Sequence, residues 1–225
     1  MENKFVNTPF NYCGVTEPIC LSSTYFIPNG IETPWSYARV DEPNSAMVCD
    51  KIRKLYNNAK YVLLTPSGIN SISIAIQASL LTFSSLNKPN KPNELNDLND
   101  LNDLNDPNEP NDIHLLLPTE IYKDSLQLFC YLTRLHKLKV LYYDPLNTDN
   151  ILNLVKKSGQ SILFIESCTN PSSYMVDPEL YLKVKEVNPK IITIVDNSWT
   201  GPVLFNPIQY GADLVVESTS KCLSV

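Results

Sequence analysis

The chain has 225 residues, of which 43% are hydrophobic, enough for the core of one large α/β domain or two small ones. The formal net charge is −6, and most of it comes from residues 88–112, where two lysines stand against seven carboxylates. The rest of the chain is nearly neutral and offers no basic face, so we expect neither nucleic acid nor an anionic membrane surface as a partner.

The cysteines and histidines give no indication of disulfides or of a metal site. The six cysteines form no Cys-x-x-Cys pair and no zinc-type spacing, and no signal peptide is recognisable, which predicts reduced thiols and a cytoplasmic protein. Two histidines are too few for a histidine-rich metal site, so we expect no metal. No apolar run approaches the roughly 18 residues of a membrane span.

The first third of the chain predicts an arm followed by a helix, a strand and a second helix. Residues 1–45 are rich in Pro, Asn, Ser and Tyr and lack periodicity, which is typical of an extended arm. Apolar residues at helical spacing predict a helix over 45–60 with Ser45 as its N-cap. Residues 61–64 predict a short buried strand, and 69–83 an apolar helix after a turn.

Residues 88–112 interrupt this pattern with a low-complexity segment. Leu-Asn-Asp repeats from Leu95 to Asp106, and prolines flank the repeat. A triplet period matches neither helix nor strand, so we interpret the segment as a disordered insertion. Added loop length costs little entropy, and the insertion need not break the fold.

After the insertion, short apolar runs alternate with helical patterns. This alternation predicts a mostly parallel sheet with helices on both faces, formed by residues 46–225. The predicted strands are 113–117, 140–143, 161–165, 191–195 and 214–217, and the predicted helices are 123–137, 148–158 and 178–187. Ligands of such sheets bind beyond the carboxyl ends of the strands.

Several chemically capable residues fall at those ends. Gly68 lies where a strand turns into a helix, a position suited to an anion, although a plain turn glycine explains it as well. Asp196 follows a buried run and needs a cationic partner unless it serves as a local capping residue. Lys221 follows Ser218, Thr219 and Ser220; by itself it could equally be a surface lysine.

Together these residues suit pyridoxal 5′-phosphate. A carboxylate can hold the pyridine nitrogen protonated, hydroxyls and a helix N-terminus can hold the phosphate, and a lysine can form a Schiff base. Tyr122, after the strand 113–117, could stack on a planar ring.

The order of the motifs resembles the Cys/Met-metabolism pyridoxal-phosphate enzymes, the fold-type I family that includes cystathionine β-lyase, γ-synthase and γ-lyase. The matching stretches span nearly all of the chain except the insertion, and they are 18–26, 36–39, 64–68, Tyr122, 166–171, 195–199 and 218–221.

The resemblance implies roles for the residues that match. Lys221 would form the Schiff base and move protons, and Tyr122 would stack on the ring and assist the exchange of amines. Asp196 would pair with the pyridine nitrogen, and Asn170 would approach the ring hydroxyl. The phosphate would be held by backbone N–H groups and hydroxyls from Gly68, Ile69, Ser218 and Ser220.

The resemblance also implies an assembly and a reaction. Tyr37 and Arg39 would reach the phosphate of a neighbouring subunit, which implies a homo-oligomer, a dimer or a tetramer. The sequence Asp196-Asn197-Ser198-Trp199 is similar to the bacterial cystathionine β-lyase branch. That branch eliminates homocysteine from the amino-acid thioether cystathionine and releases pyruvate and ammonia; γ-synthase and γ-lyase chemistry stay open.

The chain also departs from the family pattern. Asp41 and Glu42 lie beside the expected phosphate-binding arm, where carboxylates are electrostatically unfavourable unless they point away. Family members continue well beyond residue 225 and add a C-terminal domain whose arginine binds the substrate α-carboxylate. We therefore expect an incomplete member of the family, and the alternative is a truncated cofactor-binding protein without turnover.

Overall fold

The computed structural model describes residues 19–25, 35–57, 59–87 and 113–223. The predicted insertion at 88–112 lies outside this range, as does most of the predicted arm. The chain divides into two compact units, Met1–Leu64 and Thr65–Val225. The predicted domain boundary at 45/46 stays a prediction.

The described part of the first unit contains one helix, α1 (Pro43–Leu55). Its N-cap is Glu42, not the predicted Ser45. The Glu42 carboxylate accepts hydrogen bonds from the backbone N–H groups of Asn44 and Ser45, and Pro43 has no N–H that needs a partner. The helix therefore begins two residues earlier than the apolar pattern indicated.

The predicted strand at 61–64 was wrong. These residues form no strand and pair with no strand among the described residues, and Tyr61 and Leu63 are 82% and 71% exposed. A strand requires a hydrogen-bonded neighbour, which an apolar run alone does not provide. Elsewhere in this unit, Thr24 and Tyr37 form an isolated antiparallel bridge.

The second unit begins with the long helix α2 (Gly68–Asn87) and continues with alternating strands and helices. The strands are β1 (His114–Pro118), β2 (Lys139–Tyr143), β3 (Ser161–Glu166), β4 (Ile192–Asp196) and β5 (Leu214–Val216). The helices between them are α3 (Lys123–Leu135), α4 (Thr148–Lys157), α5 (Glu179–Val187) and the short α6 (Gly201–Leu204), with a 3₁₀ turn at Pro207–Tyr210.

All five strands are parallel and lie in the order β2-β1-β3-β4-β5. The chain moves outward from β1 to β2, then returns to the other side of β1 and continues through β3, β4 and β5. The connections after β1 and β3 therefore leave in opposite directions, which opens a crevice at their carboxyl ends.

The sheet is covered on both faces, as the sequence predicted. Alternating strand residues face opposite sides: Leu115 and Phe164 pack with α2 and α3, whereas Leu116 and Ile165 pack with α4 and α5. Burial on both faces explains why β3 is apolar between its first residue, Ser161, and its last, Glu166. The predicted fold class is confirmed.

Two negative findings apply to the described residues. No helix among them is long and apolar enough to cross a bilayer. Nor do their His, Cys, Asp and Glu side chains form a group of three or more that could hold a metal ion.

The packing of α3 on the sheet yields a stability prediction. Phe129 is fully buried and meets Phe164 edge to face, with ring centroids 4.7 Å apart. Phe129→Ala should lower the free energy of unfolding by about 3–5 kcal/mol, because it leaves a cavity. Val203→Ala, at a side chain that is 83% exposed, should change it by less than about 0.5 kcal/mol. Urea unfolding measures both, and equal effects would contradict the packing described.

Candidate functional site at the carboxyl edge of the sheet

Glu166 ends β3 and lies at the crevice between β1 and β3. It is only 5% exposed. One carboxylate oxygen accepts the backbone N–H of Tyr122 at 2.8 Å, and the other accepts the backbone N–H of Asn170 at 3.1 Å. Its carboxylate thus joins the segment after β1 to the segment after β3.

Burial sets the protonation of Glu166. Loss of hydration raises the pKa of this carboxyl to about 7, the Tyr122 N–H opposes that rise, and the charge of Asp196 adds to it. Glu166 therefore changes its protonation near neutral pH.

Asp196 ends β4 directly beside Glu166, its register partner in the sheet. It is partly buried, and its Oδ1 accepts the backbone N–H of Ser198 at 3.0 Å. Burial raises the pKa of Asp196, and the hydrogen bonds from Ser198 oppose the rise. A cation against this carboxylate would offset the cost of its burial.

Tyr122 immediately precedes α3 and presents its ring at the same edge. The ring is 42% exposed, and its hydroxyl donates to Asp124 Oδ2 at 2.8 Å. That bond raises the pKa of the tyrosine. Hydrogen bonds hold the Tyr122 backbone N–H and its hydroxyl, and the partly exposed ring between them could stack on a ligand.

The N-terminus of α2 meets the loop after β5. Ser67 caps the helix by accepting the backbone N–H of Asn70 at 3.2 Å. A Cβ placed on Gly68 would lie 3.4 Å from the Ser218 Cβ, so the two backbones approach closely. Ile69 packs partly buried against the core. The backbone at the start of α2 and Ser218 therefore share one small region.

The loop after β5 carries Lys221 and is fixed by hydrogen bonds. The Ser218 N–H donates to the Ser198 hydroxyl at 2.8 Å, and the Lys221 N–H donates to the Ser218 carbonyl at 3.1 Å. The side chains of Ser220 and Lys221 are exposed. Ser198 therefore contacts both Asp196 and the lysine loop.

Tyr37 and Arg39 lie in the first unit. The Arg39 guanidinium donates to the Tyr37 hydroxyl at 3.1 Å and lies 5.3 Å from the centre of its ring. Their expected contact with the phosphate of a neighbouring subunit stays a prediction.

The chain is similar to a known family of enzymes. The family model for Cys/Met metabolism PLP-dependent enzymes matches residues 110–224, just over half of the chain. The chain belongs to this family. Pyridoxal phosphate is the family's cofactor, and the predicted family and cofactor are confirmed.

The chain is similar to relatives with different reactions. It is 30% identical over 111 residues to an L-methionine γ-lyase of Fusobacterium nucleatum, covering 49% of the chain and 28% of that protein. It is 28% identical over 112 residues to a cystathionine β-lyase of Haemophilus influenzae, again covering 49% and 28%.

The fold is that of the family's solved structures. A cystathionine γ-synthase from Xanthomonas oryzae pv. oryzae superposes with a TM-score of 0.72 at 23% identity, covering 94% of the chain and 46% of that structure. The chain spans less than half the length of each of these proteins. The comparisons therefore show the family but do not separate its reactions.

The described residues fit the family's cofactor. Gly68 leaves room that a side chain would fill, beside Ser218 and at the positive end of α2. Asp196 is a carboxylate whose burial calls for a cation. Gly68 and Asp196 lie at the same edge of the sheet as Tyr122 and the loop that carries Lys221. This set of groups matches a phosphorylated pyridinium.

Several residues that shape this edge have no role in the sequence pattern. Glu166 lies in the family-matching stretch 166–171, which gives no sign of its two N–H donors. Ser198 marks the family branch in the sequence, and its contacts follow only from the structure. The loop after β4 is also held by a buried chain of hydrogen bonds through Ser167, Thr200 and Asn197.

Gly201 also shapes this edge, through its backbone conformation and its contact with the lysine loop. Its φ is +65°, and a Cβ there would lie 2.7 Å from the Cβ of Cys222, the neighbour of Lys221. Such a separation is a clash, so only glycine lets the start of α6 pack against the lysine loop.

This contact predicts the effect of a substitution. Gly201→Ala should destabilise the chain by at least about 1 kcal/mol more than Gly159→Ala, because overpacking adds to backbone strain. Gly159 is the matched control, with φ +58° and no atom within 4 Å of the point where a Cβ would lie. Urea unfolding gives both values. Adding Cys222→Gly to Gly201→Ala should remove the excess, and its persistence would contradict this explanation.

Proposed function

We propose that the chain is the cofactor-binding part of a pyridoxal-phosphate-dependent carbon–sulfur lyase that acts on an amino-acid thioether. The observation that carries the proposal is the close approach of Gly68 to Ser218, three residues before Lys221. It supports a phosphate site next to a lysine, on the edge where Asp196 offers a carboxylate.

The bound cofactor supplies an electron sink that stabilises negative charge at the substrate Cα. Asp196 would hold the proton of the pyridine nitrogen by accepting its hydrogen bond, and Tyr122 would orient the ring by stacking. Asn170 would lie on the side of the ring hydroxyl. Lys221 would bind the cofactor through its amine and would move the proton between the substrate Cα and the leaving group.

Groups at the start of α2 and in the lysine loop would hold the phosphate. The backbone N–H groups of Gly68 and Ile69 would donate to it at the positive end of the helix dipole. The hydroxyls of Ser218 and Ser220 would add two further donors. Across a homo-oligomer, a dimer or tetramer, a neighbouring subunit supplies Tyr37 and Arg39, whose guanidinium geometry suits phosphate oxygens.

Within the family we propose the β-lyase reaction, in which cystathionine and water give homocysteine, pyruvate and ammonia. Asp196-Asn197-Ser198-Trp199 supports this branch, with Trp199 56% exposed at the site edge. We also propose a cytoplasmic location, which the five free cysteines among the described residues support: Cys20, Cys49, Cys130, Cys168 and Cys222.

The role of Lys221 is tested by reduction of the cofactor-treated chain with borohydride and mapping of the labelled peptide. The label should fall on the peptide containing Lys221, and Lys221→Ala should abolish both the label and the visible absorbance of bound cofactor. Lys190→Ala is the matched control, because Lys190 is likewise an exposed lysine. Undiminished labelling in Lys221→Ala would contradict the assignment.

The products formed from cystathionine separate the candidate reactions. Pyruvate indicates β-elimination, whereas 2-oxobutyrate indicates γ-elimination, the type of reaction in the name of the Fusobacterium L-methionine γ-lyase. Cofactor binding without either product would favour a binding protein without turnover and would contradict the proposed lyase.

A further inference from the structure

Glu166 connects three segments of the candidate site. It ends β3, and its two oxygens bind N–H groups that lie 44 residues before it and four residues after it, at Tyr122 and Asn170. Both are residues to which the proposed function gives contacts with the cofactor ring. A single carboxylate thus fixes the backbone at two predicted contact points.

The surroundings of Glu166 offer it no compensating charge. Among the described residues, no lysine or arginine forms an ion pair with it. The titratable groups that interact electrostatically with Glu166 are acidic or weakly acidic: Asp196 on β4, Glu120 after β1, Cys168 after β3, and Tyr143 on β2, whose hydroxyl reaches the Phe164 carbonyl of β3. The two N–H donors are therefore what stabilises its negative form.

We propose that Glu166 is a positioning residue: its carboxylate holds Tyr122 and Asn170 in place through their backbone N–H groups, and protonation of that carboxylate loosens both. The hydrogen bonds themselves are read from the structure, whereas their consequence for the cofactor rests on the proposed function. Glu166 does not act on the substrate directly.

The physical reason is the charge on the acceptor. A hydrogen bond to an ionised carboxylate is shorter and about twice as strong as one to a neutral group. A protonated carboxyl also turns one of its oxygens into a donor, which faces an N–H that is itself a donor. Because burial raises the pKa of Glu166 to about 7, the carboxyl gains and loses its proton close to neutral pH.

The backbone amides test the proposal without any cofactor. In the full chain labelled with ¹⁵N-tyrosine and ¹⁵N-asparagine, the Tyr122 and Asn170 amide protons should shift downfield together as pH rises, with one shared midpoint near 7. The Asn150 amide is the matched control, since it donates at 2.9 Å to the neutral side chain of Asn147. It should not titrate. Separate midpoints, or no shift at Tyr122 and Asn170, would overturn the proposal.

Glu166→Gln separates positioning from a purely structural role. The variant keeps the shape of the side chain but cannot ionise, so both amide titrations should disappear while the chain stays folded. If they persist, another group causes them and the proposal is wrong. If the variant does not fold, the titration of the natural chain still decides the question.

Affinity for pyridoxal phosphate provides a second readout. At pH 8.5, Glu166→Gln should bind the cofactor at least about fivefold more weakly than the natural chain, since one N–H loses its acceptor. At pH 5.5 the ratio should approach one, because both chains then carry a neutral side chain. An equal ratio at both values would overturn the role in positioning. Absence of binding by both chains would instead contradict the proposed function, while the amide titration would remain decisive for Glu166.

Discussion

The parallel pairing of β3 with β4 is the constraint on which the site depends. Its register sets Glu166 beside Asp196 at the buried carboxyl edge of the sheet. Ionisation of both neighbouring carboxyls in that environment costs free energy, so each needs hydrogen-bond donors or a cation. The partners of Glu166 are the N–H groups of Tyr122 and Asn170. A cationic ligand would compensate the negative charge of Asp196.

A second constraint is the way in which the loops beyond the sheet are joined. Ser198 contacts Asp196 through its N–H and Ser218 through its hydroxyl, and Gly201 allows Cys222 to approach. The acid and the lysine loop are therefore coupled through short contacts. Positioning of reacting groups accounts for a large share of enzymatic rate. Substitutions at Ser198 or Gly201 should therefore affect the proposed site, although neither residue is a proposed cofactor contact.

Much of this architecture could be predicted from the sequence. Short apolar runs that end in polar residues predicted the parallel sheet and the position of Asp196, because strands buried on both faces change character sharply where they leave the core. The same pattern failed at residues 61–64, since hydrophobicity does not show whether a strand has a neighbour. It also misplaced the N-cap of α1, because the glutamate at position 42 reaches two N–H groups that periodicity does not reveal.

The contacts of Glu166 and Gly201 could not be predicted, and the reason is physical. Each depends on segments distant in sequence: Tyr122 is 44 residues from Glu166, and Cys222 is 21 residues from Gly201. Local composition carries no information on such approaches. The family motif indicated the candidate site at this edge, whereas the raised pKa of Glu166 follows only from its folded surroundings.

The most direct test of a cofactor site at this edge is the affinity of the full chain for pyridoxal phosphate, compared with that of Asp196→Asn. We expect saturable binding that Asp196→Asn weakens at least about tenfold, because a charge-assisted hydrogen bond is lost. Asp177→Asn, at an exposed aspartate, should bind as the natural chain does. Equal affinity of Asp196→Asn and the natural chain, or no binding by the natural chain, would contradict a cofactor site at this edge.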